Sequence, residues 1–512
     1  MAYLMYNEDC THFIYTRSSG GADPVTMAHV DEFITKHVNT GVTDFFVNVG
    51  SAVPFYPSKR FDGIYKYAFK DGLPDHSRYL KGCLGFYERE GISLPEAMLR
   101  CLKKTAVRPW VSLRMNDVHE CYFPESALWS DFFRTHRGEW NLVPHRKRTK
   151  YHEYELNYLV PEVYAFYLTL VEDALDNFDS YGIELDFMRE AYCIGVGREA
   201  EGVAVMNRFM REVKALVKKA EERYGHPIKI GVRLPSLPDK ALRLGFDACL
   251  WAEEGLIDLL VATSRWHTSY NDIPLDLWRR LLRGTSVTLA AGIERCLNSR
   301  PGTGSPHTFQ SYESAVGAAC ANLSEGADAI YLYNFFDGYN GHYETPDFFC
   351  NDDALRARFL ALGGDYEQLQ REPRRHVVTY DDTAVPTMTE KAPLPLTLSA
   401  DRGASTPLES AACYGRLRVP TGKIGKDKTV TLLLGFDKEE DFAFSDLEVY
   451  INQRPCAPLG KQAPDTLLRP RGGHTYAFSV ENDGSLPTVS VVEVGLTHGN
   501  ATVVWAELDV TD

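Results

Sequence analysis

The sequence contains no apolar run of the roughly 18 residues that a membrane-spanning helix requires. It also lacks a basic amino-terminal region followed by an apolar stretch and a cleavage site, so no secretory signal is recognisable. The 11 cysteines are an odd number without CxxC pairs, which is typical of free thiols in a reducing compartment. We therefore expect a cytoplasmic protein with no membrane partner.

Positive charge is also scarce. The chain carries 55 Lys and Arg against 70 Asp and Glu, a formal net charge of −15, whereas nucleic-acid binding needs a broad basic surface. We expect no nucleic-acid partner, and interpret the basic run His145–Lys150 as a solvated loop or a contact within a homodimer. Neither an HExxH motif nor a closely spaced His/Cys set is found, so we expect no catalytic metal and no cofactor.

What the chain does have is length and alternation. Its 512 residues are 44% hydrophobic, enough for one large domain and a smaller one. Strand-like and helix-like segments alternate in eight cycles over residues 1–370, which predicts an α/β fold, a (β/α)8 TIM barrel. A doubly wound open sheet is the alternative, but no Gly-rich dinucleotide fingerprint follows the first strand. The predicted strands are Tyr3–Tyr6, Asp44–Val49, Trp110–Arg114, Gly182–Phe187, Lys229–Arg233, Leu259–Thr263, Val287–Ala291 and Ala329–Tyr333.

The pattern changes in residues 371–512. Four prolines lie between positions 371 and 400, and short alternating apolar runs follow them. This spacing predicts a C-terminal β-sandwich domain, whose role is to brace the barrel or to bind a glycan. The predicted strands are Leu417–Val419, Thr429–Leu434, Leu447–Ile451, Tyr476–Val480, Thr488–Val494 and Thr502–Val510.

Arginines follow four of the apolar segments in the first part of the chain. They are Arg114, Arg189, Arg233 and Arg265. The carboxyl ends of TIM-barrel strands meet at one mouth, where active sites lie, so these arginines should gather there. A cluster of cations in an acidic chain favours an anionic ligand.

The same strand ends carry carboxylates, histidines and amides, which favours a functional cavity with the acid and base pairs that glycoside hydrolysis needs. Aromatic residues near the strand ends suit stacking on sugar rings. They are Phe13, Phe55, Tyr56, Tyr122, Phe123, Trp266, Tyr270 and Phe335.

Two longer runs, Tyr181–Arg189 and Gly245–Asp258, resemble the bacterial barrels grouped as glycosyl-hydrolase-like family 10, over about residues 1–370. Within that group, the motifs Asn7–Asp9 and Arg114–His119 are similar to glycoside hydrolase family 156, the inverting exo-sialidases. The resemblance implies a TIM barrel joined to a β-sandwich, and a glycosidase with an Asp/His active centre. The repeated Asp-box of the common sialidase propeller is missing from the sequence.

The resemblance implies that Asp9 is the base that activates water and that His119 is the acid that protonates the aglycone oxygen. Arg114 and Arg189 would hold the carboxylate of the sugar, and Asn334 would orient the substrate. His12 competes with His119 for the role of the acid. Further substrate-binding candidates at the same strand ends are Asn116, Glu184, Asp186, Arg233 and Glu294.

Two other functions stay open. A retaining glycosidase would use Asp186 or Glu190 after the fourth strand as acid/base and Glu294 after the seventh as nucleophile. Whatever the mechanism, the alternative role of Glu184 or Asp186 is purely structural, namely to hold an arginine in place. A non-catalytic carbohydrate-binding barrel is the remaining alternative, and the many ionisable groups at the predicted mouth disfavour it.

Overall fold

The computed structural model describes residues 2–17, 24–61, 75–123, 126–136, 138, 154–265, 267–301, 308–337, 348–389, 391–400, 414–437, 441–462 and 474–512. Structural statements below concern these residues, so the basic run 145–150 and Trp266 lie outside them. None of the helices in these ranges is long and apolar enough to cross a membrane. The ten cysteines within them are all unpaired thiols, as the sequence predicts.

The first part of the chain is a closed barrel of eight parallel strands in sequential order, with the last strand paired to the first. The predicted fold class is therefore confirmed, and each predicted strand is a barrel strand whose ends differ by a few residues. The strands are β1 (Tyr3–Glu8), β2 (Asp44–Gly50), β3 (Arg108–Arg114), β4 (Gly182–Asp186), β5 (Lys229–Pro235), β6 (Leu259–Thr263), β7 (Thr288–Glu294) and β8 (Ala329–Tyr333).

Amphipathic helices surround the barrel, and their apolar faces form its outer core with the outward-facing strand residues. The helix Glu199–Tyr224 is the longest of those described. It is followed by Gly225, whose φ of +77° suits glycine at a helix C-terminus. The helices are α1 (Cys10–Arg17), α2 (Met27–Val38), α3 (Asp75–Glu90), α4 (Leu94–Leu102), α5 (Asp131–His136), α6 (Pro161–Asn177), α7 (Glu199–Tyr224), α8 (Pro238–Arg243), α9 (Ala248–Glu253), α10 (Leu275–Leu281), α11 (Tyr312–Ser324), α12 (Asp353–Leu362) and α13 (Tyr366–Leu369).

A separate apolar cluster fills the lower half of the barrel interior. The rings of Phe46 and Trp110 stack there with centroids 4.9 Å apart. Gly182 on the neighbouring strand leaves room for them, since a Cβ at this position would lie 2.4 Å from the Trp110 ring. The indole N–H of Trp110 donates to the buried Asp44 at the amino end of β2, at 2.8 Å, whereas the predicted site residues lie toward the carboxyl half of the barrel.

The C-terminal part consists of two antiparallel sheets with strand orders β10-β18-β12-β16-β15, to which β9 adds beside β18, and β11-β17-β13-β14. Both sheets contribute to one apolar core, which confirms the β-sandwich. The strands are β9 (Arg374–Val377), β10 (Leu396–Ser399), β11 (Gly415–Pro420), β12 (Thr429–Phe436), β13 (Leu447–Ile451), β14 (Arg454–Pro455), β15 (Ala457–Gln462), β16 (Thr475–Val480), β17 (Val489–Leu496) and β18 (Asn500–Thr511).

Four of these strands, β9, β10, β14 and β15, were not predicted. They are two to six residues long, and all except β10 contain Pro or charged residues, so the period-two apolar signal is weak. The division of the chain at residues 370 and 371 stays a prediction.

Candidate active site

The carboxyl ends of the strands bring most of the predicted site residues together. Four of these residues are partly accessible to solvent: the side chain of His119 is 27% exposed, that of Arg189 13% and that of Asp9 12%, and Asn334 is half-buried. Glu184, Asp186 and Arg233 are at most 1% exposed and lie deeper in the barrel. A ligand that approaches the mouth from solvent therefore meets the first four residues before the deeper three.

A continuous chain of contacts joins the two residues predicted to be catalytic. Asp9, which directly follows β1, lies 2.7 Å from Nη2 of Arg114 at the end of β3. Nη1 of Arg114 lies 3.2 Å from the carboxylate of Asp117, and that carboxylate accepts a hydrogen bond from Nδ1 of His119. The carboxylate also accepts the His119 backbone N–H at 2.9 Å, which fixes the loop after β3. Asp9 and His119 are thus held in one rigid network.

The protonation state of His119 follows from its two ring contacts. Nδ1 faces the Asp117 carboxylate and donates to it, whereas Nε2 lies 2.6 Å from Nη2 of Arg189 and must accept. Burial and, next, the Arg189 cation lower the pKa of His119 below its ordinary value, against the opposing effect of Asp117. His119 is therefore a neutral imidazole at neutral pH when Arg189 occupies this position.

The four arginines lie at the carboxyl ends of the strands, Arg233 below the other three, but they do not form an uncompensated cationic cluster. Each has a carboxylate oxygen within 4 Å, since a buried guanidinium needs an anionic partner. The pairs are Arg114 with Asp9, Arg233 with Asp186, and Arg189 and Arg265 with Glu190. The sign of the local charge alone therefore does not require an anionic ligand, and the acidic substrate stays a prediction.

Below the mouth, Asp186 holds Arg233. One of its oxygens lies 2.6 Å from Nη1 of Arg233, and the other accepts the backbone N–H groups of Met188 and Arg189. The guanidinium of Arg233 stacks over the ring of Tyr333 at 3.6 Å. These contacts indicate that Asp186 anchors an arginine and the loop after β4, the structural role that the sequence left open.

Several polar atoms in this layer have no hydrogen-bond partner within the described residues. They are Nε and Nη2 of Arg233, Oε1 of Glu184 and the hydroxyl of Tyr333. The other oxygen of Glu184 accepts from Ser112 at 2.6 Å and from Tyr331 at 2.9 Å. Burial and the nearby Asp186 raise the pKa of Glu184 to about 7. These side chains are at most 2% exposed and form a polar layer below the mouth.

Glu294 at the end of β7 is a buried carboxyl group with a raised pKa. Burial raises its pKa to about 8, although Arg295 and the amide of Asn334 oppose that shift. Nδ2 of Asn334 lies 3.2 Å from both oxygens of the carboxyl group. Asn334 itself follows β8 with φ of +58°, a conformation that asparagine tolerates better than most residues. These two predicted residues therefore lie side by side at the mouth.

Asn116 does not face the mouth. Its amide group donates to the carbonyls of Leu156 and Tyr192, and its oxygen accepts from the Leu156 N–H and the Tyr167 hydroxyl. With all of these bonds made and no exposed surface, it anchors the segment around residue 156. Asn116 also lines a small cavity together with Asp117 and His119, and its role in substrate binding stays a prediction.

His12, the competitor for the role of acid, is oriented by a different carboxylate. Its Nδ1 lies 3.0 Å from Glu8, and its ring stacks on Phe336 with centroids 3.9 Å apart. The residue is 4% exposed, whereas His119 lies at the accessible rim. Of the two histidines, His119 is the one that solvent reaches more readily.

Asp117 had no predicted role, although its position two residues before His119 could have indicated one.

The segment 379–384, which we call the strap, follows β9 and returns from the sandwich to the barrel mouth. It had no predicted role either. Asp381 lies 2.8 Å from the buried Lys240, and Asp382 accepts the backbone N–H groups of Arg265 and His267. No local pattern marks such long-range contacts.

No group of three or more His, Cys, Asp or Glu side chains in the described ranges is arranged to hold a metal ion. The candidate site is instead a network of carboxylates, arginines and one accessible histidine.

No protein-family model matches the chain, and no curated protein matches it significantly. Glycoside hydrolases are among the solved structures that the chain is similar to. An α-L-fucosidase isoenzyme 2 from Paenibacillus thiaminolyticus is 12% identical, with 72% of this chain and 50% of the fucosidase covered and a TM-score of 0.40. The PgaB (BpsB) glycoside hydrolase domain from Bordetella bronchiseptica is 9% identical, with 68% and 97% covered and a TM-score of 0.37.

A third similar structure is the GH36 α-galactosidase AgaA from Geobacillus stearothermophilus, which is 10% identical, with 96% of this chain and 55% of the galactosidase covered and a TM-score of 0.35. This chain thus spans about half the length of the fucosidase and of the galactosidase. None of the three is described as a sialidase. Similarity at this level concerns the fold and assigns neither a substrate nor a mechanism.

Proposed function

We propose that the protein is a glycoside hydrolase that removes a terminal acidic sugar, a sialic acid, from a glycan with inversion at the anomeric carbon. The observation that carries this proposal is the network from Asp9 through Arg114 and Asp117 to His119. It holds a carboxylate and an imidazole, both accessible, in fixed positions at the barrel mouth.

In this proposal Asp9 takes a proton from water as the water oxygen bonds to the anomeric carbon. The bond from that carbon to the aglycone oxygen breaks, and the proton on Nε2 of His119 passes to the departing oxygen. Asp117 accepts from Nδ1 of His119 and so keeps Nε2 as the nitrogen that exchanges the proton. Solvent then removes the proton from Asp9 and returns one to His119.

The contact between Arg189 and His119 suggests why the substrate should be an anion. In the ligand-free arrangement, Nη2 of Arg189 occupies the position that a proton on Nε2 would need. A carboxylate on the sugar would attract the guanidinium of Arg189 away and place a negative charge beside the imidazole. Both changes favour protonation of His119, so the acid forms when an anionic sugar binds.

The retaining alternative fits the electrostatics poorly. Its nucleophile, Glu294, should be ionised, yet burial raises the pKa of this carboxyl group to about 8. Its acid/base should be protonated, yet Asp186 and Glu190 are each paired with an arginine. The same observation on Glu294 favours a second candidate, an inverting glycosidase in which neutral Glu294, rather than His119, protonates the aglycone oxygen.

The experiment that tests the proposal is hydrolysis of sialyllactose followed by proton NMR from the first minutes. Sialic acids are α-linked in glycans, so inversion releases the β anomer first, and we expect this result. Early appearance of the α anomer would contradict inversion. If sialic acid is released with inversion by both Asp9→Asn and His119→Gln variants, the residue assignment is wrong.

Two further outcomes decide between the remaining candidates. Loss of activity in Glu294→Gln with full activity in His119→Gln would favour Glu294 as the acid. Binding of sialyllactose in a calorimeter without any release of sugar would identify a carbohydrate-binding barrel.

A further inference from the structure

The strap contacts two loops of the barrel mouth through separate hydrogen bonds. The two carboxylate oxygens of Asp382 accept the backbone N–H groups of Arg265 and His267, at 2.6 and 2.7 Å, in the loop after β6. The carbonyl of Ala384 accepts the hydroxyl of Tyr192, at 2.6 Å, in the loop after β4. A segment that follows the first strand of the sandwich therefore holds two loops of the barrel.

The contact with the loop after β6 continues to the candidate acid through three charged side chains. Nη2 of Arg265 lies 2.8 Å from one oxygen of Glu190, and the other oxygen of that carboxylate lies 3.7 Å from Nη1 of Arg189. Nη2 of Arg189 lies 2.6 Å from Nε2 of His119. The side chain of Glu190 has no exposed surface, and those of the two arginines are 8% and 13% exposed, so salt screens these interactions little.

The contact with the loop after β4 fixes the end of the loop that is farther from the strand. Asp186 holds the beginning of this loop, because it accepts the backbone N–H of Arg189. The backbone of Tyr192 is bonded to Glu155 and Asn116, and its hydroxyl adds the bond to the strap. Arg189 thus lies between two anchors, and the second depends in part on the strap.

We propose that the strap is a positioning element for the reaction, which holds Arg189 against His119 through Asp382 and Ala384. This inference rests on the proposed function, in which Arg189 keeps His119 neutral in the free protein and then binds the carboxylate of the sugar. A guanidinium that is already in place binds an anion without the entropic cost of ordering a long side chain. In this proposal the C-terminal sandwich completes the active site in addition to bracing the barrel.

The test uses the full-length protein and two single variants. Asp382→Ala removes the bonds to the loop after β6, and Tyr192→Phe removes the bond to Ala384. In both, Arg189 is held less firmly beside His119, so we expect the pKa of His119 to rise toward its ordinary value of about 6.5. Proton NMR of the histidine ring measures this pKa without substrate. We expect KM for sialyllactose to increase about fivefold, the effect of one net hydrogen bond, and kcat to change less than about twofold.

Each variant has a matched control at the amino end of the barrel. Asp258→Ala removes a carboxylate that also accepts a backbone N–H, that of Ile230. Tyr224→Phe removes a hydroxyl that also donates to a backbone carbonyl, that of Leu175. Both controls should leave the pKa of His119 and the KM unchanged, whatever their effect on the thermal midpoint.

A lower thermal midpoint in both strap variants, with the pKa of His119 and the KM unchanged, would show that the strap is only a brace and would overturn the proposal. Equal changes in the controls would also overturn it, because they would reflect a general loss of structure. Asp382→Asn keeps one acceptor oxygen and should show smaller changes than Asp382→Ala.

Two further results keep the test decisive. If Asp382→Ala does not fold, Tyr192→Phe, which loses a single hydroxyl, still gives the answer. If the wild type does not hydrolyse sialyllactose, the proposed function fails, whereas the NMR titration of His119 still decides whether the strap positions Arg189.

Discussion

Nη2 of Arg189 lies 2.6 Å from Nε2 of His119, and the same imidazole donates from Nδ1 to Asp117. A cation and an anion thus act on opposite nitrogens of one accessible ring. The Arg189 cation disfavours a proton on Nε2, and the Asp117 carboxylate fixes the orientation of the ring. Any ligand that displaces Arg189 changes the charge of His119.

This arrangement predicts the pH profile. Because burial and Arg189 lower the pKa of His119 in the free protein, kcat/KM should fall as pH rises through a pKa below about 6.5. Once the anionic sugar is bound, the pKa rises, so the alkaline limb of kcat should lie at higher pH than that of kcat/KM. Initial rates between pH 4 and pH 9 check both statements. Activity that increases through this range would show that His119 acts in its neutral form.

Loss of either proposed catalytic residue should remove most activity. We expect Asp9→Asn and His119→Gln to reduce kcat about 10²-fold to 10⁴-fold, the usual range for positioned acids and bases. The measurement is release of sialic acid, with circular dichroism to check that the variants fold. The matched control is His226→Gln, because His226 is a half-exposed histidine that pairs with Asp179 at the other end of the barrel. Comparable losses in the control would point to a general effect on the fold.

Replacement of Arg189 by Met should have two separate effects. With the neighbouring cation removed, the pKa of His119 should rise, which proton NMR of the histidine ring can follow without any substrate. The KM for the acidic sugar should increase about 10-fold to 100-fold, because a charged hydrogen bond to its carboxylate is lost. In Arg243→Met, the exposed control, neither quantity should change. An unaltered KM would separate Arg189 from substrate binding.

The buried pair of Lys240 and Asp381 should be important for stability. Both side chains are about 5% exposed, and the lysine also donates to the carbonyl of Thr383 at 2.5 Å. Lys240→Met would leave the Asp381 carboxyl group buried without its cation, at a cost of about 3–5 kcal/mol. For a chain of this length we expect the thermal midpoint to fall by about 3–5 °C. Arg198→Met removes an exposed ion pair with Glu201 and should change it little.

Burial raises the pKa of Asp381 to about 6 even with Lys240 beside it. The folded protein thus binds this proton more tightly than the unfolded chain, whose Asp titrates near 3.9. The contribution of Asp381 to stability is fully present below about pH 4 and is lost as pH rises through about 6. In the variant Asp381→Asn this part of the pH dependence should disappear. Identical pH curves for variant and wild type would contradict the assignment.

Gly182→Ala should destabilise the barrel from within. The added Cβ would lie 2.4 Å from the ring of Trp110, which stacks on Phe46 and has no space to retreat. Overpacking of this kind costs typically about 1–3 kcal/mol. Thermal unfolding measures the loss, and the tryptophan fluorescence should shift as the ring moves. Gly197→Ala is the comparison, since nothing lies within 4 Å of a Cβ there, although its φ of +85° adds some strain.

The sequence predicted the barrel strands well because a strand buried on both faces is a compact run of apolar residues. Leu259–Thr263 and Ala329–Tyr333 are examples, and both predicted ranges equal the observed strands. Short edge strands such as Arg454–Pro455 carry no such run and were missed. Periodicity therefore predicts strands that contain an apolar run, the edge strand β11 among them, and misses the short edge strands without one.

The site was predictable in its location and only partly in its roles. That Asp9, Arg114, His119 and Arg189 lie at one mouth follows from strand ends in a barrel. The hydrogen bonds of Asn116 and the ion pair of Arg233 with Asp186 depend on contacts between residues that are distant in the sequence. The charge balance of the mouth is equally a property of packing, since Glu190 meets Arg265 only after folding.

The strap has a consequence for how this protein could diverge. Its residues 379–384 follow the first sandwich strand in the chain but form part of the barrel mouth, where Asp382 fixes the loop after β6 and Ala384 accepts from Tyr192. A recombination event near residue 370 would separate the barrel from these contacts. The two domains are therefore expected to be inherited together, with substrate preference changing by substitutions in both rather than by exchange of one.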